Sequence, residues 1–155
     1  MSEDSKLRPA RLAEANEIAL MSRDYIEAGL HWRWRPSVIA GLIRAEDITV
    51  LVAEQSDRKL AGFAIMRYGS EQAHLMLLAV KPAYRRRGLG CRMLAWLEKS
   101  ARVAGIVVID LEVRAINDTA QTFYQSLGYR SLRQLPGYYG GLEAAVRMRH
   151  NLIVG

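Results

Sequence analysis

The segment Leu78–Gly90, LAVKPAYRRRGLG, constrains this chain more than any other. The run Leu75 to Val80 has apolar side chains at every position and reads as the end of a central strand. Pro82 stops it, and Gly88-Leu89-Gly90 opens a helical pattern, with Leu89, Met93, Trp96 and Leu97 at i, i+4, i+7 and i+8. Glycines at a strand-to-helix turn let backbone N–H groups approach a ligand without Cβ obstruction. Those first-turn N–H groups lack helical partners and lie at the positive end of the helix dipole. Arg85, Arg86 and Arg87 add three cations beside them. The turn is suited to an anion, a phosphate or pyrophosphate by preference; the competing account is a solvated charged loop. Met93 stands where a dinucleotide fingerprint needs a third small residue, and no G-x-x-x-x-G-K-[ST] occurs.

Around this segment the pattern changes period several times. A short extended piece at Leu7-Arg8 precedes a helix expected from about Ala13 to Glu27, and Pro36 opens a second through Ile43. Thr49–Ala53 and Leu60–Tyr68, joined by Ser56-Asp57-Arg58, form a predicted hairpin, followed by the strand Glu71–Val80. A helix to about Val103 follows, then the strand Ile106–Val113 and a helix marked by Ala120, Phe123 and Leu127. Asn117 or Asp118 caps that helix and Gly128 ends it. Two last strands flank a Gly-rich loop, Pro136–Gly141, and finish near His150. The order β-α-α-β-β-β-α-β-α-β-β describes a mixed α/β sheet covered by helices. With 155 residues and no linker or repeat, one domain over 1–155 is expected.

Several chemistries fall away. One cysteine, Cys91, excludes an internal disulfide and a Cys-rich zinc site, and His31, His74 and His150 show no metal-ligand spacing. No apolar run approaches the roughly 20 residues of a membrane span. Met1–Ser5 is acidic and polar, unlike a signal peptide, so a cytoplasmic protein with no membrane partner is expected. The net charge of +6, mostly arginine, suggests an anionic partner without naming it.

Arg85-x-x-Gly88-x-Gly90 after Leu78-Ala79-Val80 resembles the acetyl-CoA signature of the GCN5-related N-acetyltransferases, the GNAT family. A second block, Leu111–Ala120 continuing into Phe123–Tyr129, is similar to the ribosomal-protein-alanine N-acetyltransferase branch. The resemblance implies a mostly antiparallel sheet of six to seven strands with about four flanking helices. Its fourth and fifth strands, Glu71–Val80 and Ile106–Val113, splay apart to admit pantetheine. It implies acetyl-CoA as co-substrate and no metal. Leu78, Ala79 and Val80 would lie along the pantetheine, and Arg85, Arg86, Arg87, Gly88, Leu89 and Gly90 would hold the pyrophosphate. The amine attacks the thioester directly, in keeping with the lack of a Ser/His or Cys/His constellation.

Two proton-transfer roles remain. The resemblance gives Glu112 as base; the plainer account is a strand glutamate paired with a neighbour such as Arg114. It gives Tyr124, which also faces the cofactor, as the acid that protonates the leaving thiolate. The residues alone allow a boundary tyrosine beside a core-facing Phe123. Asn117 matches the asparagine that binds pantetheine, or is simply the helix cap. Trp34, Tyr138 and Tyr139 fall where the family contacts its acceptor, and Ala144 replaces an acid usual in that branch. Trp32-Arg33-Trp34-Arg35 otherwise suggests nucleic-acid stacking, though packing near the substrate cleft accounts for it better. Cys91, beside the arginines, is expected to be a small buried residue rather than a thiol that forms a disulfide with CoA.

The expected activity is transfer of an acetyl group to a primary amine in a ternary complex, a protein or peptide N-terminus first. The alternatives are a small amine such as a polyamine, amino acid or aminoglycoside, a non-catalytic CoA sensor, or a basic nucleic-acid binder. No nucleic-acid partner is expected, and the resemblance allows a homodimer.

Overall fold

The computed structural model describes residues 5–153. The acidic start, Met1 to Asp4, and the last two positions lie outside the described residues. The elements are β1 (Lys6–Pro9), α1 (Ala15–Tyr25), α2 (Pro36–Arg44), β2 (Ile48–Glu54), β3 (Leu60–Tyr68), β4 (Gln72–Val80), α3 (Leu89–Val103), β5 (Val108–Arg114), α4 (Asp118–Ser126), β6 (Arg130–Tyr139) and β7 (Glu143–Asn151). They form one seven-stranded sheet in the order β1-β2-β3-β4-β5-β7-β6, in which only the β4–β5 pair is parallel. This is the mixed, mostly antiparallel sheet with four helices that the resemblance implies.

Local chemistry moves two boundaries. The first helix begins at Ala15, because Leu12–Glu14 forms a single 3-10 turn. Glu14 holds that turn, accepting from the Arg11 N–H at 2.7 Å and from Arg8 at 2.6 and 2.9 Å. Pro136–Tyr139, expected in the Gly-rich loop, belong instead to β6, and the chain reverses over Gly140–Leu142. A proline is tolerated there because β6 is the sheet's outer strand, where a missing N–H leaves no ladder bond unmade.

The helices divide between the two faces. α3 and α4 cover one, with Met93, Leu97, Ile109, Leu111, Tyr129 and Met148 in a shared core. α1 and α2 cover the other, where Ile18 and Ile39 pack on Phe63 and Ile65, all fully buried. Burying each such side chain contributes roughly 1.5–3 kcal/mol, which fixes the faces firmly.

The all-apolar end of β4 has an unexpected cause. Met66 pairs with Leu75 but Ile65 pairs with Leu77, so Met76 is an extra residue, a β-bulge. One extra residue exchanges the faces. Ala73 and Leu75 therefore join the α3–α4 core, whereas Leu77 and Ala79 join the α1–α2 core.

Candidate active site

The bulge also marks where the sheet opens. β4 and β5 pair from Gln72↔Val108 to Leu75↔Leu111 and no further. Beyond that point Met76–Val80 and Glu112–Arg114 face a gap, each still paired on its outer edge to β3 or β7. The splay of the fourth and fifth strands is thus present.

α3 begins at the end of this gap. The bond from the Arg92 N–H to the Gly88 carbonyl, 2.9 Å, leaves the N–H groups of Leu89, Gly90 and Cys91 without helical acceptors. Arg86 and Gly88 both adopt left-handed backbone, φ 64° and 75°, which curls the turn around those N–H groups. A Cβ on Gly90 would lie 3.3 Å from the Phe123 ring, so glycine lets α3 start hard against α4. Arg85, Arg86 and Arg87 are exposed here. The Arg85 Nε donates to the Val80 carbonyl at 2.9 Å, and the Arg87 guanidinium lies over Tyr84. Cys91, expected to be buried, is exposed, since its place in the first turn falls on the solvent side of α3.

Glu112 lies at the mouth of the gap, one residue past the last β4–β5 pair. Its Oε1 is 2.5 Å from the His74 Nε2 and accepts from the Tyr138 hydroxyl at 3.3 Å; its Oε2 accepts from the Arg147 Nε at 2.8 Å. Burial pushes this carboxyl up, but the His74 and Arg147 contacts outweigh it and hold it below the usual carboxylate range. Arg114, the partner suggested by sequence, is elsewhere. Its guanidinium grips Glu143 at 2.6 and 2.8 Å and donates to the Ala28 and Ile26 carbonyls at 2.8 and 3.3 Å.

Tyr124 approaches the gap from the opposite face. It is buried while Phe123 is only half-buried, the reverse of the expected pair, and its ring meets Phe123 and Tyr129 edge-on. Burial, reinforced by nearby Tyr139, pushes its hydroxyl well above the ordinary range. Tyr139 is raised by burial, then by Tyr138 and Glu112, and stacks edge-on with Tyr138. Tyr138 thus links Glu112 to Tyr139. The Asn117 Oδ1 accepts from the Ala120 N–H at 3.1 Å, which is the helix-cap geometry. Trp34 packs beside the α1–α2 core under the Arg33 guanidinium, and its backbone N–H donates to the buried carboxylate of Glu27 at 3.3 Å.

Sequence reasoning missed His74 and Arg147. Their spacing carried no signal, because only the pairing of β4, β5 and β7 brings them to Glu112. A separate concavity, lined by Lys6, Arg11, Glu54 and Arg58, lies at the far edge of the sheet and does not reach the gap. Among the described residues no three His, Cys, Asp or Glu side chains come together as a metal site, and no helix is long and apolar enough to cross a membrane.

A sheet split beside a bare, arginine-flanked helix start defines the fold of the acetyltransferases. Residues 46–131, more than half of the chain, match the model of the acetyltransferase (GNAT) domain, and the chain belongs to that family. It is 38% identical over 84 residues to the ribosomal protein bS18-alanine N-acetyltransferase of Salmonella typhimurium; this covers 54% of the chain and 57% of that protein. The crystal structure of the ribosomal-protein-S18-alanine N-acetyltransferase from Escherichia coli superposes with a TM-score of 0.80 at 27% identity, covering 96% of this chain and 94% of that one. Arabidopsis thaliana NAA60 in complex with acetyl-CoA gives a TM-score of 0.83 at 18% identity, covering 96% and 99%.

Proposed function

We propose that this chain is, over its whole length, one acetyl-CoA-dependent N-acetyltransferase domain that acetylates the N-terminus of a peptide or protein. The observation that carries this reading is the gap itself. An unpaired β4 edge, an unpaired β5 edge and three free N–H groups at the α3 start line one path. Pantetheine, with its amides, fits two bare strand edges, and a pyrophosphate fits a helix start with arginines. Leu78, Ala79 and Val80 would line the pantetheine, with Asn117 at its margin, and Arg85 to Gly90 would hold the phosphates. Bound there, acetyl-CoA supplies an activated acyl group.

The chain supplies positioning and two proton transfers. An incoming ammonium gives up a proton to Glu112, through water, because both carboxylate oxygens already accept hydrogen bonds. The freed nitrogen forms a bond to the acyl carbon as the carbon–sulfur bond breaks. The departing thiolate takes the Tyr124 proton, which burial keeps in place at neutral pH, and the second proton shed by the new amide nitrogen restores Tyr124 through solvent. Tyr138, Tyr139 and Trp34 border the acceptor path on the Glu112 side. The ribosomal protein acceptor named for the Salmonella relative favours a peptide N-terminus over a small amine, and a cytoplasmic setting.

The test is thiol release from acetyl-CoA with N-terminal peptides and small amines. Tyr124→Phe should lower kcat by about a hundredfold or more while acetyl-CoA still raises the Tm. Full activity of the variant, or no thermal shift with acetyl-CoA in the parent protein, contradicts the reading.

A further inference from the structure

The outer ribbon of the sheet sets arginine directly against arginine twice. Arg130 on β6 faces Arg149 on β7, and Arg133 faces Arg147. Directly opposed residues of antiparallel strands project from one face, and like charges there are destabilising. Only the β7 partner of each pair is answered from β5. Arg147 meets Glu112 at 2.8 Å, and Arg149 meets Asp110 at 2.6 and 2.9 Å. Arg130 and Arg133 are exposed and pair with no carboxylate among the described residues. Four cations against two committed carboxylates leave this block with unsatisfied positive charge. The α1–α2 core takes residues of β2, β3 and β4 on this side and none of β5, β6 or β7, and Arg130 and Arg133 stay open to solvent.

We propose that this arginine block docks acidic residues of the acceptor chain, so that the preferred substrate is an N-terminal amine followed a few residues later by Asp or Glu. The inference rests on the transferase reading above and assigns its acceptor class. Continuity with the site favours a peptide over a nucleic acid. Arg147, the inner corner of the block, is bonded to Glu112, the group that takes the amine's proton. From β5 across β7 to β6 is about 10 Å, two strand spacings, which an extended peptide covers in about three residues. Carboxylates at about the third to sixth positions therefore reach Arg133, then Arg130 and Arg149. The guanidinium fork matches a carboxylate in two-point contact. Nucleic-acid grooves interleave aromatics with cations, and none stands within Arg130–Arg133 or Arg147–Arg149.

Thiol release is measured with three peptides that share an N-terminal residue and carry three glutamates, serines or lysines at positions three to five. The glutamate peptide should exceed the lysine peptide in kcat/KM by about tenfold, with the advantage shrinking as salt is added. The R130E/R133E double variant should invert the order. Equal rates for the three peptides, or an unchanged order in the variant, overturn the proposal. If no peptide is acetylated, the transferase reading fails instead. Fluorescence anisotropy of a labelled glutamate peptide then decides the surface, by whether binding exists and is lost in R130E/R133E. Binding of labelled polyuridine that the variant loses, without any peptide preference, would assign the face to nucleic acid and overturn the proposal. Both substitutions are exposed and remove like-charge pairs, so the variant should fold, as the thermal shift with acetyl-CoA verifies.

Discussion

Two opposing effects act on Glu112. Burial raises its carboxyl, and the contacts with His74 and Arg147 lower it by more. Removing His74 takes away a hydrogen bond and a favourable charge while the desolvation stays, so the Glu112 pKa must rise. Because the proposed base works in its deprotonated form, the acid limb of kcat/KM should move to higher pH in His74→Ala. A pH–rate profile of the two proteins checks the direction; a limb that moves down contradicts the assignment of Glu112 as the group that sets it. The resemblance carried by the surrounding motifs pointed to Glu112 and Tyr124. It did not point to His74, because a histidine 38 residues away in sequence becomes a neighbour only through strand pairing.

At the scale of elements, β4 carries the site. Its bulge at Met76 exchanges the faces and coincides with the last β5 pair, so one inserted residue both supplies the α1–α2 core with Leu77 and Ala79 and opens the gap. β3 must hold β4 along this stretch, and Gly62, opposite Val80, leaves no room there for a side chain. A Cβ there would lie 2.7 Å from the Ala79 carbonyl oxygen, 3.2 Å from Met93 and 3.3 Å from the Val80 Cα. Gly62→Ala should therefore destabilise the fold by about 1–3 kcal/mol, read by denaturant unfolding. It should also weaken the thermal shift given by acetyl-CoA, since Val80 borders the gap. The period of β4 could be read from its sequence, but the bulge could not, because an all-apolar strand gives the same pattern with or without an exchange of faces.

At the scale of the molecule, Arg114 joins three parts that are far apart in the chain. It leaves β5 two residues after Glu112, grips Glu143 at the start of β7 and holds the Ile26 and Ala28 carbonyls behind α1. The two segments it ties flank the side of the site proposed to receive the acceptor, and Glu27 pins the same loop by accepting from the Arg33 N–H at 2.7 Å. Arg114→Ala should raise KM for the peptide several-fold and leave KM for acetyl-CoA nearly unchanged, whereas Arg114→Lys recovers part of the loss. Equal rises in both constants would mean that the residue is only structural. Steady-state kinetics with each substrate varied in turn distinguishes the cases.

The sequence alone determined the order and nature of the elements and the arginine- and glycine-lined helix start. Those follow from hydrophobic period, turn chemistry and motifs, all of which act over a few residues. Only the tertiary structure decided what surrounds them: the bulge that parts β4 from β5, the His74 and Arg147 contacts that keep Glu112 ionised, the choice of Tyr124 over Phe123 for burial, and the stacking of arginine on arginine across β6 and β7. Each depends on register and layer packing between segments distant in the chain, where local spacing carries no information.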